Sequence, residues 1–238
     1  MDWNGSLLCR LHIQWDYTAR TCDISMPDYL KEALHKFQHP KPPRPQNAPH
    51  VCKFPTYGAK IQYAEDNVHS PLLPPKSIHL VQQIVGTLLY YAISVDPNIT
   101  VALVTLSSQQ YKATKQTYNA TLWILNCDDS NPNATIWYTA SDMILYVHSD
   151  ASYLSAPRAR SRASGHYFLS DRSPDPTKPP RIRRRLNGPI HTMSKIMSNV
   201  VGLSAKAEIG ATYINGQEAV PIYTLLHGLS HTQPDTHI

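Results

Sequence analysis

The sequence predicts an α+β chain, and three observations carry that prediction. Leu7 to Tyr17 alternates between apolar and polar residues, the two-residue period of a half-buried strand. Between Ser77 and Asn126 apolar residues recur instead at helical spacing. From Ile136 onward short strand-like runs return, and they give way to helix after Ser204.

Taken in order, Leu7, Cys9, Leu11, Ile13, Trp15 and Tyr17 share one strand face. Thr18-Ala19-Arg20 can turn, and Cys22, Ile24 and Met26 resume the alternation, so a β-hairpin is expected. Pro27 suits the first position of a helix, where its missing N–H costs nothing. Leu30, Ala33, Leu34 and Phe37 then mark an amphipathic helix that ends at His39-Pro40. Residues 40–76 are Pro-rich and aperiodic, which predicts an extended linker.

Ser77 is a candidate cap for the next helix, whose buried stripe is Val81, Ile84, Val85, Leu88 and Ala92. Asp96-Pro97 breaks it, Pro97 opens a helix to about Gln110, and a third covers roughly Lys112 to Asn126. Asp128 to Asn133 is expected to turn. Strands follow at Ile136–Tyr138, Met143–Tyr153, Gly165–Leu169 and Pro189–Met197. Ser204 to Glu218 is expected to be helical, with Pro221 opening a further short helix to about Leu229. Trp15, Trp123 and Trp137 are expected in the core.

The 238 residues carry 42% apolar and only 16% charged side chains, too apolar for a disordered polyampholyte. With 9 Gly and 4 Cys, collagen-like and disulfide-scaffold classes are excluded. The net charge of +5 is local. Nine Lys and Arg against two Asp give residues 158–185 a charge of +7, so the rest is slightly acidic. Met1-Asp2-Trp3-Asn4 lacks a basic n-region and no long apolar run follows it, so no signal peptide is expected. The apolar stretch Leu80–Leu106 is interrupted by Gln82, Gln83 and Asp96-Pro97, so no membrane span is expected. Cys9, Cys22, Cys52 and Cys127 show no CxxC pairing and read as reduced cysteines of an intracellular, cytoplasmic or nuclear, non-secreted chain. On that reading the four N-x-S/T sequons are chance matches.

Two places could carry chemistry. Val147-His148-Ser149-Asp150 runs an apolar strand into an aspartate, and Ser204-Ala205-Lys206-Ala207-Glu208 places a glutamate near the start of a helix. Carboxylate oxygens brought together are ligands for a hard divalent cation. A pair of Mg²⁺ ions so held could activate water against a phosphodiester. On spacing alone, a strand-end Asp reads more simply as a solvated cap. Arg158, Arg160 and Arg162, with Arg181, Arg183, Arg184 and Arg185, could contact phosphates, or form a solvated basic loop. No aromatics interleave them, so base stacking has no support there. Asn126-Cys127-Asp128-Asp129 reads as a solvated turn. His35 and His39 lack further metal ligands, and His148, Ser149 and Ser152 form no triad.

These residues carry a resemblance. Ser149-Asp150-Ala151, Arg162-Ala163-Ser164-Gly165, Asn187-Gly188-Pro189-Ile190-His191, Lys195 and Ser204-Ala205-Lys206-Ala207-Glu208 resemble, in order and spacing, the ribonuclease H domain of copia-type LTR retrotransposon Pol polyproteins. Leu11 to Tyr17, Asp23 to Leu30, His50 and Tyr57-Gly58-Ala59-Lys60 are similar to the end of that family's reverse transcriptase palm. Gln83 to Tyr90 and Val95-Asp96-Pro97 are similar to its G-x-L-x-Y and D/R-P signatures.

The resemblance implies a palm-end β-hairpin and helix over 1–39, a Pro-rich linker over 40–76, a helical thumb/connection over 77–135 and an incomplete ribonuclease H-like α/β domain over 136–238. It implies Asp150 and Glu208 as catalytic and Mg²⁺-binding carboxylates. Two metals would be held in the intact site, the partner would be an RNA–DNA hybrid, and the rest of the Pol polyprotein would complete the activity. The family's Y-x-D-D polymerase motif would lie upstream of Met1, and the third carboxylate of the ribonuclease H site beyond Ile238. Asn126-Cys127-Asp128-Asp129 is only a superficial imitation of the first. Lys206 and Gly202-Leu203 depart from the family pattern. The expectation is therefore a retroelement fragment whose parent copies RNA into DNA and cleaves the RNA of hybrids, itself catalytically incomplete. The alternative is a non-catalytic nucleic-acid-binding fragment using residues 158–185.

Overall fold

A computed structural model describes residues 6–50, 70–172 and 186–234. The α+β class holds: helices and two antiparallel sheets are both present. The chain divides into two units, one of Met1–Gln14 with Ile24–Ile136, the other of Trp15–Asp23 with Trp137–Ile238. No helix among the described residues is long and apolar enough to cross a membrane.

The predicted N-terminal strand is split in two. β1 (Leu7–Leu8) and β2 (Leu11–Asp16) are antiparallel, with Leu8 opposite Leu11. Cys9 (φ 51°) and Arg10 (φ 69°) make the two-residue turn between them, in the left-handed region that such turns require. β3 (Thr21–Ser25) follows, and β4 (Thr135–Thr139) completes a sheet of order β1-β2-β3-β4. The Ala140 N–H extends the pairing to Arg20 O at 2.9 Å.

In the first unit, α1 (Tyr29–Lys36) begins two residues after Pro27, behind an Asp28 at φ 62°. α2 (Pro75–Ser94) starts earlier than expected. Pro74 rather than Ser77 occupies its cap, because Pro75 is preset for the first helical position. Asp96 accepts from the Asn98 N–H and caps a short 3₁₀ turn, Pro97–Ile99, which leads into α3 (Thr100–Gln109). α4 (Lys115–Ser130) opens with a reciprocal capping box between Thr114 and Thr117. Val81, Ile84 and Leu88 of α2, Leu103 of α3, Ile124 and Leu125 of α4, and Met26 and Leu30 close one core. The Pro-rich segment is tied to α4 near both ends of that helix: at its start the Lys115 N–H donates to Pro71 O at 2.9 Å, and farther along Gln46 and Ala48 meet it. Gln46 takes Ser130 Oγ on its backbone N–H and donates from Nε2 to Trp123 O at 2.7 Å, while Trp123 Nε1 donates to Ala48 O at 2.9 Å.

Three expectations are corrected here. Asn126 to Asp129 is not a solvated turn: it is the last turn of α4, with Asp128 only 2% exposed, and the helix ends at Asn131 instead. The tryptophans are not core residues. Trp15 stacks on Tyr17 at the surface, and Trp123 and Trp137 are exposed as well, because alternation names a face without saying what covers it. In the second unit, Pro221 does not open a new helix. One helix, α5 (Ser204–Gly228), runs through it, with Pro221 on the exposed side.

The second unit is a meander, β5 (Ile144–Ala156), β6 (Arg160–Ser170) and β7 (Pro189–Ile196), antiparallel and in that order, with α5 across one face. Leu145, Val147 and Tyr167 pack against Ala219 and Leu226, and farther along Ala163 and Ala151 pack against Ala211 and Met197. Ile144, Tyr146 and Phe168 cluster on the other face. Among the described residues β5 forms one edge of this sheet.

Candidate functional site

Asp150 lies in the middle of β5, opposite Ser164 of β6, which is opposite Ser194 of β7. Its neighbours define its direction. Ala151 packs under α5, and the Ser149 hydroxyl accepts from Asn215 Nδ2 of that helix at 2.9 Å. Successive strand residues point to opposite faces, so Asp150 points away from α5, beside His148. It is exposed. The alternation that predicted the strand places His148 two residues from Asp150 on the same face, and the register sets His166 directly opposite His148, ring centroids 6.4 Å apart. Nothing in the sequence singles out His166, because its place opposite His148 depends on the register of β5 with β6. Burial, with the nearby His148, pulls the His166 pKa down.

Glu208 stands one turn into α5, exposed, between the buried Ala207 and the turn that carries the buried Ala211. Its backbone carbonyl accepts from the Thr212 hydroxyl at 3.0 Å. Among the described residues no hydrogen bond or ion pair joins Glu208 to Asp150, and no group of three or more His, Cys, Asp and Glu is placed to hold a metal. As ligands the two are chemically suitable for Mg²⁺, being exposed oxygen donors. Among the described residues no third carboxylate joins them.

What fixes α5 over the strands is a buried node at Asn215. Its carboxamide nitrogen donates to Ser149 Oγ, to Ser164 O (2.9 Å) and to Ala211 O (3.0 Å). Its Oδ1 accepts from the Tyr167 hydroxyl at 2.7 Å. Asn215 is fully buried and every polar atom of its side chain is used, which makes the node rigid rather than costly. Gly165 lies beneath it, where a Cβ would come within 1.9 Å of Asn215 Oδ1. Neither Asn215 nor Gly165 stood out in the sequence as a packing pair.

The arginines divide. Arg158 is exposed in the three-residue β5–β6 loop, and Arg160 is half-buried, its Nε donating to Pro157 O. Arg162 is 5% exposed and its Nη1 donates to Ser194 Oγ at 3.2 Å, so a phosphate contact would require it to leave that site. Arg181, Arg183, Arg184 and Arg185 lie outside the described residues.

A second titratable group belongs to the first unit. Asp128 and Asp96 are both buried, and desolvation, with Asp96 nearby, pushes the Asp128 pKa up to about 8. Asp96 is raised too, chiefly by burial. Asp128 Oδ2 has no hydrogen-bond partner, which fits a carboxyl that keeps its proton. Burial likewise raises Cys127 to about 11 and Tyr91 to about 12. Asp128 is thus part of the core beside Asp96, while Asp129, its neighbour in sequence, is half-buried.

No family model, no curated protein and no solved structure matches this chain.

Proposed function

We propose that this chain is a portion of a copia-type retroelement Pol polyprotein that binds RNA–DNA hybrids through a ribonuclease H-like second unit and is, by itself, catalytically incomplete. The observation that carries this reading is the order of elements around the two carboxylates. Three antiparallel strands lead into one long helix, with Asp150 on the first strand and Glu208 in the second turn of the helix. The sequence motifs noted above fall on that frame at its working points: Gly165 under the helix crossing, Asn187-Gly188-Pro189 at the entry to β7, and Ser204 to Glu208 at the helix start. The helical first unit would correspond to the thumb/connection, and the N-terminal hairpin to the end of the palm.

Asp150 and Glu208 would hold Mg²⁺, which supplies charge neutralisation at a phosphodiester when bound. Removing one member of a cooperating catalytic set removes most of the rate, so two carboxylates should support little turnover. Arg158 and the basic residues up to Arg185 would bind the hybrid backbone. A binding role without cleavage is the second reading, and it is favoured by the finding that no group of three or more metal-ligating side chains forms among the described residues.

One experiment separates the outcomes. The full chain is incubated with a labelled RNA–DNA hybrid in Mg²⁺ or Mn²⁺, with binding and strand cleavage both recorded over a range of salt. Salt-sensitive hybrid binding with little or no cleavage is expected. Cleavage that Asp150→Asn abolishes would overturn the incompleteness, and absence of hybrid binding at low salt would overturn the nucleic-acid reading altogether.

A further inference from the structure

The edge of β5 carries a row of backbone groups with no strand beside them among the described residues. The side chain of Gln233 shows which ones they are. Its Nε2 donates to Met143 O at 2.8 Å and its Oε1 accepts from the Leu145 N–H at 2.9 Å. Residues 143 and 145 therefore turn their backbone groups away from β6, and alternation turns those of Val147, Ser149 and Ala151 the same way. The far side of β6 agrees, since Ser161 O accepts from the Met197 N–H at 2.9 Å beyond β7. No hydrogen bond from outside the sheet reaches the backbone of Val147, Ser149 or Ala151 among the described residues.

Natural edge strands are usually guarded by Pro, Lys, inward charges or bulges. Ile144 to Ser152 has none of these, and its single acidic residue, Asp150, points out from one face of the sheet. We infer that β5 pairs with β5 of a second copy of this chain, antiparallel, about a twofold axis at Ser149. This goes beyond the nucleic-acid reading and does not depend on it.

The register follows from the side chains. Ser149 faces Ser149 and Val147 faces Ala151, each a hydrogen-bonded pair using only the outward groups. Between them His148 of one copy stands opposite Asp150 of the other, on the same face, and the twofold axis repeats that contact. The imidazole N–H donates to the carboxylate across the strand pair, a favourable cross-strand partnership. Moving the axis to Asp150 would set the two Asp150 carboxylates against each other. Moving it to His148 would leave Asp150 facing Tyr146. An axis at Ala151 would set Asp150 against the Ser152 hydroxyl and leave His148 without a carboxylate, so only the axis at Ser149 gives each Asp150 an imidazole partner. Gln233 limits the ladder at its Leu145 end, so the pairing is short and closed.

Sedimentation equilibrium of the full chain tests this over a range of concentrations. The mass should rise from one chain to two. Ala151→Pro removes an outward N–H without touching the β6 ladder, and it should weaken the dimer about tenfold or more while the far-ultraviolet circular dichroism stays unchanged. Asp150→Lys should weaken it as well, by setting Lys against His148, and His148→Glu combined with Asp150→Lys should restore it. The charge exchange decides the matter should the proline variant unfold. A chain that stays monomeric throughout, a folded proline variant that dimerises normally, or a double variant that fails to recover each overturns the inference.

Discussion

Asn215 Oδ1 sits where a side chain on Gly165 would have to go, 1.9 Å from the position of its Cβ. The helix carries the polar group and the strand makes room for it, so each residue determines what the other can be. Asn215 cannot move aside without breaking its bonds to Ser149, Ser164 and Tyr167. Gly165→Ala should therefore lower the stability of the second unit by roughly 1–3 kcal/mol. Urea unfolding of Gly165→Ala, Asn215→Ala and the double variant checks it. The double variant should lose less than the sum of the two single losses, because the collision is removed together with its cause.

Tyr167→Phe probes the same node from the other side. It deletes the 2.7 Å donor to Asn215 Oδ1 and leaves a fully buried carbonyl oxygen without its hydroxyl partner. A loss of about 1–3 kcal/mol is expected. It would be read by the same unfolding measurement, and a loss near zero would mean the node is not stabilising.

Asp128 gives the first unit a pH dependence of definite sign. Its pKa is about 8 in the folded chain, against the ordinary 3.8. Between those values the folded chain holds a proton that the unfolded chain has released. Stability therefore falls as pH rises through that window, and it levels off once both states are ionised. Asp128→Asn removes this slope. It should stabilise the first unit at about pH 9 relative to the parent chain, and thermal unfolding from about pH 5 upward should show the difference shrinking towards acid. Asp96, raised in the same direction, leaves a residual slope.

The β5–β6 loop holds Arg158 at φ 61° and Ala159 at φ 54°. Left-handed backbone costs residues with a Cβ but not glycine. Ala159→Gly should therefore stabilise the hairpin, by up to about 1 kcal/mol. A fall in melting temperature on making it would contradict this.

Hybrid binding should distinguish the arginines. Arg158→Gln should reduce the dependence of log affinity on log salt by about one phosphate contact. Arg162→Gln should leave that slope nearly unchanged and lower stability instead, since Arg162 is buried on Ser194. Equal slope losses for the two would contradict the assignment.

Much of the fold was legible in the sequence, for physical reasons. β2 and β3 announce themselves because alternation survives whichever face is covered, and α2 because its stripe at helical spacing is long. Of β6 only Gly165–Leu169 was legible, and the strand in fact starts at Arg160. Other features depend on distant partners. Asn126-Cys127-Asp128-Asp129 has turn composition, and only the closure of the first core over α4 makes those residues its last, buried turn. Ser77 looks like a cap, yet Pro75 already starts the helix. Pro221 looks like a break, but its ring falls on the exposed side of α5. At the candidate site, Asp150 and Glu208 came from motif resemblance. The face of Asp150, and the presence of His166 across from His148, came only from the strand register, and the exposed side of Glu208 from the packing of α5.

The division of the chain has a consequence for how it is made. The second unit takes Trp15–Asp23 from the start of the chain and resumes only at Trp137, with Ile24–Ile136, the larger part of the first unit, nested between. During synthesis those early residues emerge long before β4, the strand that joins their sheet. The helical insert, rich in contacts close along the chain, has the faster topology to form. The β3 edge must therefore wait, without its β4 neighbour, while the helices between them are made. In this chain the order of completion is the reverse of the order of emergence at that point, and the waiting interval is where misassembly would begin.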